Sequence, residues 1–221
     1  MIHVLYEDNH ILCVEKPVNV PCAEDSSGDP DLLNMCRDYI KEKYQKPGNV
    51  YLGLVHRLDR PVGGVMVFAK TSKAASRLSE AVRTHAMKKT YLAVLDGNLK
   101  TDQGTLKDWL VKDPKTNTSR TTDEAHGKFS ELSYEVLARR EGKTLVKIRL
   151  RTGRPHQIRV QFSSRGYPLV FDQRYNPNTR KGQIALYACR LEFPHPTLKT
   201  PVIAEHMPPQ VYPWNLFEEL K

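Results

Sequence analysis

An α+β protein organised around a central, mainly antiparallel or mixed β-sheet is the fold class predicted from three observations. Strand-like segments follow one another in the chain without the regular βαβ succession of a doubly wound sheet. The 221 residues suffice for a sizeable core, and 39% hydrophobic with 27% charged residues is the balance of a globular chain rather than a disordered one. No internal repeat, low-complexity tract or Gly/Ser linker divides the sequence, so a single domain over residues 1–221 is expected.

The elements follow in order. "VLYEDNHILCVEKP" reads as two strands around a polar turn at Glu7-Asp8-Asn9, the second ending at Pro17. After a loop, Asp29 is read as an N-cap with Pro30 at the first helical position, and Leu32, Leu33, Cys36, Tyr39 and Ile40 recur at helical spacing to about Lys43. Gly64 leads into the short apolar run "VMVFAK", a buried strand, and Thr71 or Ser72 caps the helix "SKAASRLSEAVRTH". "KKTYLAVLDG" is a further strand. "LVKDPKTNTSRTTDEAHGK" is the most loop-like stretch, open to two readings: a loop that is mobile or faces a partner, or a solvated hairpin excursion. "FSELSYEVLAR" and "KTLVKIRLRTG" alternate apolar and polar residues around "REGK" and form a hairpin. Pro155 opens a helix, "PHQIRVQFSSRG"; "IALYACRLEFPHP" and "TPVIAEH" are two more strands; "YPWNLFEELK" is read as a closing helix.

Thirty-four Lys and Arg against twenty-five Asp and Glu give a formal charge of +9. A basic surface favours a polyanionic partner such as nucleic acid, although an indifferent basic surface has the same composition. The apolar runs are too short for a membrane helix, and the N-terminus lacks the basic start, apolar run and cleavage site of a secretory signal, so no membrane partner and a cytoplasmic location are expected. Cys13, Cys22, Cys36 and Cys189 form no C-x-x-C pair and are read as free thiols, with neither a disulfide framework nor a metal site signalled. Phosphate-binding glycine loops, H-E-x-x-H and G-x-S-x-G are all absent from the sequence.

Three polar clusters remain, each at the end of a predicted strand. "VHRLDR" sets Asp59 between Arg57 and Arg60 with His56 beside them. "RTGRPHQIR" places Arg154 at a turn before a helix start, where an anion would be favoured. "KKTYLAVLDG" carries Tyr91, with a stacking face and a phenol. Taken singly, Asp59 reads as a surface ion pair, Tyr91 as core and Arg154 as a partner of some structural carboxylate.

In combination these stretches resemble the RluA family of pseudouridine synthases. "HRLDRPVGGVMVFAKT" is similar to that family's aspartate motif, "KKTYLAVLDG" to its tyrosine motif, "LRTGRPHQIRVQF" to its arginine motif, "ALYACRLEFPHP" to its late strand motif and "YEDNHILCVEKP" to its first hairpin. The resemblance implies the pseudouridine synthase fold with an RNA-binding cleft. It also implies isomerisation of uridine to pseudouridine in structured RNA, a ribosomal or transfer RNA stem-loop, without a cofactor or metal.

Residue by residue, the resemblance implies that Asp59 is the essential carboxylate, acting either at C1′ or through loss of uracil by way of the 2′ position. Arg154 would hold Asp59 ionised. Tyr91 would stack on the uracil and take part in removing the C5 proton. Arg57 would help extrude the nucleotide, since a stacked base is out of reach until flipped. His56, Arg60, His156 and Arg159 are expected in RNA binding or support. Gly63-Gly64 stand where members more often carry Ser or Thr before one Gly, and Tyr187 where many carry His. The chain is expected to be a monomer working without a separate S4-like RNA-binding module. The competing class is a non-catalytic RNA-binding protein of the same fold.

Overall fold

A computed structural model describes residues 2–220. They form an α+β architecture of eleven strands, three α-helices and two short 3-10 turns. Two compact units divide it, the first running to Lys89 and including Ala188–His206, the second covering Thr90–Tyr187 and the residues from Met207 onward.

In the first unit the strand order is β1-β2-β4-β10, with β3 on β4 and β11 on β10. The predicted opening hairpin is β1 (His3–Glu7) and β2 (Ile11–Lys16), whose turn is closed by Asp8 accepting from the N–H groups of His10 and Ile11 at 2.7 and 2.9 Å. β3 is Gly53–Leu54, and β4 (Gly63–Ala69) is buried at every position, as its unbroken apolar run requires between two neighbours. β2 and β4 pair antiparallel from Ile11↔Ala69 to Lys16↔Gly64. β10 is Leu186–Pro194, whose first two residues belong to the second unit, and β11 is Pro201–Glu205.

Helix α1 spans Leu32–Lys43 and buries Leu32, Cys36 and Ile40, one per turn. Its N-cap is Asp31 rather than the expected Asp29. Asp31 Oδ1 accepts from Asn34 N–H at 3.0 Å, the i→i+3 reach of a cap, while Asp29 is drawn instead into an ion pair with Arg60. Helix α2 spans Ser72–Arg83 and is capped by Thr71, whose Oγ1 accepts from Ala74 N–H at 3.1 Å. Ala74, Leu78 and Ala81 of α2 pack on Ile11, Cys13, Val65, Val67 and Ala69, with Leu191, Phe193, Val202 and Ala204 completing the core.

In the second unit the order is β5-β9-β8-β6-β7. β5 is Lys88–Asp96, entering from the first unit at its first two residues, and β6 is Gln103–Asp113. β7 (Thr118–Thr122) pairs with β6 from Trp109↔Thr122 to Asp113↔Thr118, so the polar stretch is a hairpin, the second of its two readings. β8 (Lys128–Arg140) and β9 (Lys143–Leu150) form the predicted hairpin, turning through Glu141 and Gly142 at φ 50° and 70°, the twist that a two-residue turn needs.

Helix α3 is shorter than expected, Gln157–Ser163, because His156 stands in the left-handed region at φ 54° and delays its start. The predicted closing helix is two 3-10 turns, Trp214–Leu216 and Glu218–Leu220, separated by extended Phe217; Lys221 of that prediction lies outside the described residues. Buried Trp214, Phe217 and Leu220 recur every third residue, a spacing that a 3-10 period satisfies. All four cysteines are buried, and no helix among the described residues is long and apolar enough to cross a membrane.

Candidate active site

Asp59 lies in an irregular segment joining β3 to β4, in a turn closed by Val62 N–H donating to the Asp59 carbonyl at 2.9 Å. Its side chain is partly buried. Three groups hold the segment from beneath. Lys16, at 0% exposure, donates from Nζ to the carbonyls of Pro17 and Arg60, both at 2.9 Å, and of Val62 at 2.8 Å. Burial brings its ammonium down to about 8, opposed by the nearby Asp59 carboxylate that favours protonation. The Cys22 sulfur donates to the Leu58 carbonyl at 3.2 Å and accepts from Leu58 N–H at 3.4 Å. Burial pushes this thiol up, so it keeps the proton it donates.

The third is His56. It is buried, its Nε2 accepts from Val67 N–H of β4 at 3.1 Å, and its Nδ1 is buried with no hydrogen-bond partner among the described residues. Burial first, and the charge of Lys89 second, bring its imidazole down to about 3. His56 is therefore a neutral pin between the segment and β4, which corrects the expectation that it contacts RNA: a buried ring bonded to a strand amide offers nothing to a phosphate.

Arg57 is exposed. Arg60 spends its guanidinium on its own unit: Nε donates to the Asn19 carbonyl at 3.1 Å, Nη1 to Ser27 Oγ at 3.0 Å, and the group forms ion pairs with Asp25 and Asp29. It ties the 19–29 loop to the Asp59 turn. Gly64, the second glycine of the motif, answers a packing need. At φ +126° an added Cβ would stand 2.2 Å from the Ala188 carbonyl oxygen, so only glycine lets these strands approach.

The second unit carries the other motif residues. Tyr91 is on β5 and 7% exposed. Arg154 lies between β9 and α3, and its Nε donates to the Phe129 carbonyl at 2.9 Å. Gln157 fixes the turn before it, accepting at Oε1 from Arg154 N–H at 3.0 Å and from Thr152 Oγ1 at 2.8 Å, while its Nε2 donates to the Glu131 carbonyl at 3.1 Å. That accounts for a Thr, a Gly-Arg turn and a Gln at this spacing. His156 is partly exposed and places Nδ1 2.7 Å from the Tyr175 hydroxyl.

Arg159 departs from the expected RNA contact. It is 5% exposed, and its Nε and Nη2 donate in parallel to Asp172 at 2.8 and 2.7 Å, with the guanidinium 5.0 Å from the Tyr175 ring centre. Asp172 is itself buried, so the pair binds α3 to the 172–176 turn and presents almost no surface to a phosphate. Tyr187, the other departure from the motif, is buried in β10. Lys16, Cys22, Gln157 and Asp172 were not singled out in the sequence, though a lysine ending the apolar strand "ILCVEK" was a visible anomaly.

The model of the RNA pseudouridylate synthase family matches residues 10–164. An uncharacterized RNA pseudouridine synthase, YhcT of Bacillus subtilis, is 32% identical over 92% of this chain and 68% of its own length. Ribosomal large subunit pseudouridine synthase D of Yersinia pestis is 35% identical over 88% of this chain; the chain spans 63% of that relative. In structure, human RNA pseudouridylate synthase domain containing 4 superposes with a TM-score of 0.79 at 20% identity, covering 94% of this chain and 89% of that one, a likeness of fold. The motif stretches around Asp59, Tyr91 and Arg154 all fall inside the matched residues, and the chain belongs to the RNA pseudouridylate synthase family.

Proposed function

We propose that this chain isomerises uridine to pseudouridine in structured RNA, ribosomal or transfer, with Asp59 as the essential carboxylate. The observation that carries the reading is the family match across residues 10–164. Two relatives bear the names of an RNA and a ribosomal large subunit pseudouridine synthase. The formal charge of +9 suits an RNA partner. The two units work as one catalytic domain, as a monomer in the cytoplasm.

In the reaction the N1–C1′ bond breaks, the uracil turns, C5 bonds to the same C1′, and the C5 proton is lost while N1 gains one. Asp59 stabilises the electron-poor sugar carbon, by bonding to C1′ or by assisting loss of uracil through the 2′ position. A turn held by Lys16, Cys22 and His56 suits that task, because a carboxylate that must meet one carbon works best on a backbone that does not wander. Arg154 supplies a cation for the reaction. Tyr91 stacks on the flipped uracil and takes part in the C5 proton transfer. Exposed Arg57 assists extrusion of the nucleotide.

The test is Asp59→Asn, assayed for pseudouridine in transfer and ribosomal RNA fragments alongside RNA affinity. Product formation is lost while affinity stays within about threefold, since one charge of a broad phosphate-contacting surface changes. Full activity in this variant overturns the assignment. Pseudouridine mapping in cells with and without the protein identifies the uridine.

A further inference from the structure

Three side chains distant in sequence meet on the first unit, away from the roles assigned above. His3 of β1, Glu15 of β2 and His206, directly after β11, each place one ligand atom within 4.8 Å of the others. His3 Nδ1 is 2.9 Å from Glu15 Oε2, and His206 Nε2 is 3.6 Å from the same oxygen. The two imidazoles meet edge to face at 5.0 Å.

The backbone beneath all three is set by strand pairing. His3 is the register partner of Glu15, Glu15 stands opposite Val65, and His206 N–H donates to the Cys189 carbonyl at 2.9 Å. Glu15 sits between Val14 and Lys16, both at 0% exposure, so its carboxylate is carried on a strand that cannot swing away.

We propose that His3, Glu15 and His206 bind a borderline divalent transition metal of the zinc class. Two imidazoles and one carboxylate suit zinc, cobalt(II) and nickel(II), whereas calcium and magnesium call for more oxygen ligands. A tetrahedral ion with bonds of about 2.0–2.1 Å sets its ligand atoms roughly 3.3 Å apart. The two separations to Glu15 bracket that value and the third stays within 4.8 Å, so small side-chain rotations close the site. Side-chain exposures of 57%, 25% and 29% leave the remaining coordination positions to water. The ion would fasten β1 and β2 to the end of β11. None of the roles assigned to Asp59, Tyr91 or Arg154 uses this site.

The experiment titrates the full chain, stripped with a chelator, with Zn2+ by calorimetry. One equivalent binds, and Glu15→Gln and His206→Ala each weaken it at least about tenfold, with circular dichroism confirming that both variants fold. Co2+ gives visible d–d bands in the parent chain and not in the variants. Saturating Zn2+ raises Tm by a few degrees in the parent alone. Absence of one-equivalent binding, or affinity unchanged in both variants, overturns the proposal. Equally tight binding of Mg2+ overturns the metal class.

Discussion

Replacing Lys16 by methionine removes the ammonium that holds the Asp59 turn while keeping an unbranched side chain of similar length to fill the space. Two opposing quantities decide the outcome. Nζ donates to three carbonyls at 2.8–2.9 Å, and hydrogen bonds from a charged donor contribute about 1.5–3 kcal/mol each. Against them, burial lowers the amine from 10.5 to about 8, which corresponds to roughly 3 kcal/mol disfavouring the charge. The hydrogen bonds prevail, and Lys16→Met is expected to lose roughly 2–6 kcal/mol of stability. Urea unfolding at neutral pH measures it. Under single-turnover conditions the rate of pseudouridine formation falls at least about tenfold while RNA affinity moves less than about threefold, because the turn and not the phosphate-contacting surface is disturbed. Between about 8 and 10.5 the unfolded chain carries a proton on Lys16 that the folded chain lacks. Its contribution to stability therefore rises with pH across that window, a rise that Lys16→Met removes. A variant within about 0.5 kcal/mol of the parent, with an unchanged rate, would refute the role of the ammonium; that margin is the usual effect of an inconsequential surface change.

Three further outcomes follow from the same physics. His56 titrates near 3 folded and 6.5 unfolded, so its contribution is complete above pH 6.5 and is lost as pH falls toward 3, by up to about 1.4 kcal/mol per pH unit. His56→Gln, measured by denaturant midpoint between pH 6 and 4, flattens the slope; parallel slopes in both proteins exclude His56 as its source. Arg159→Leu leaves Asp172 charged in a buried site and is expected to cost about 3–5 kcal/mol, read by urea unfolding, while RNA affinity of the folded variant is unchanged; a selective loss of RNA affinity without loss of stability contradicts the structural role. RNA affinity measured from about 50 to 200 mM salt falls steeply through counterion release, and a flat profile contradicts phosphate contact by the basic surface.

Local periodicity carried much of the fold. Two hairpins, the apolar run of β4 and the Thr71 cap are written within a few residues of themselves, and each forms where its pattern lies. Elsewhere the local pattern misled. Asp29 reads as the cap of α1, yet Asp31 caps it and Asp29 pairs with Arg60, which lies far along the chain. At the C-terminus the apolar spacing fits both helical periods over so few residues, and extended Phe217 separates two 3-10 turns.

The same division runs through the candidate site. Motif order and residue type determined that Asp59, Tyr91 and Arg154 stand in the stretches that carry the family resemblance, since those patterns are local and specific. Only the tertiary structure decided which neighbours serve the fold. His56 and Arg159 look like RNA contacts in a string of basic residues, yet burial leaves one neutral and binds the other to Asp172. Lys16 acts on a carbonyl 46 positions away, and His3 and Glu15 meet His206 across most of the chain. A charge's role depends on its solvation and its partners, and both are set when distant strands pair.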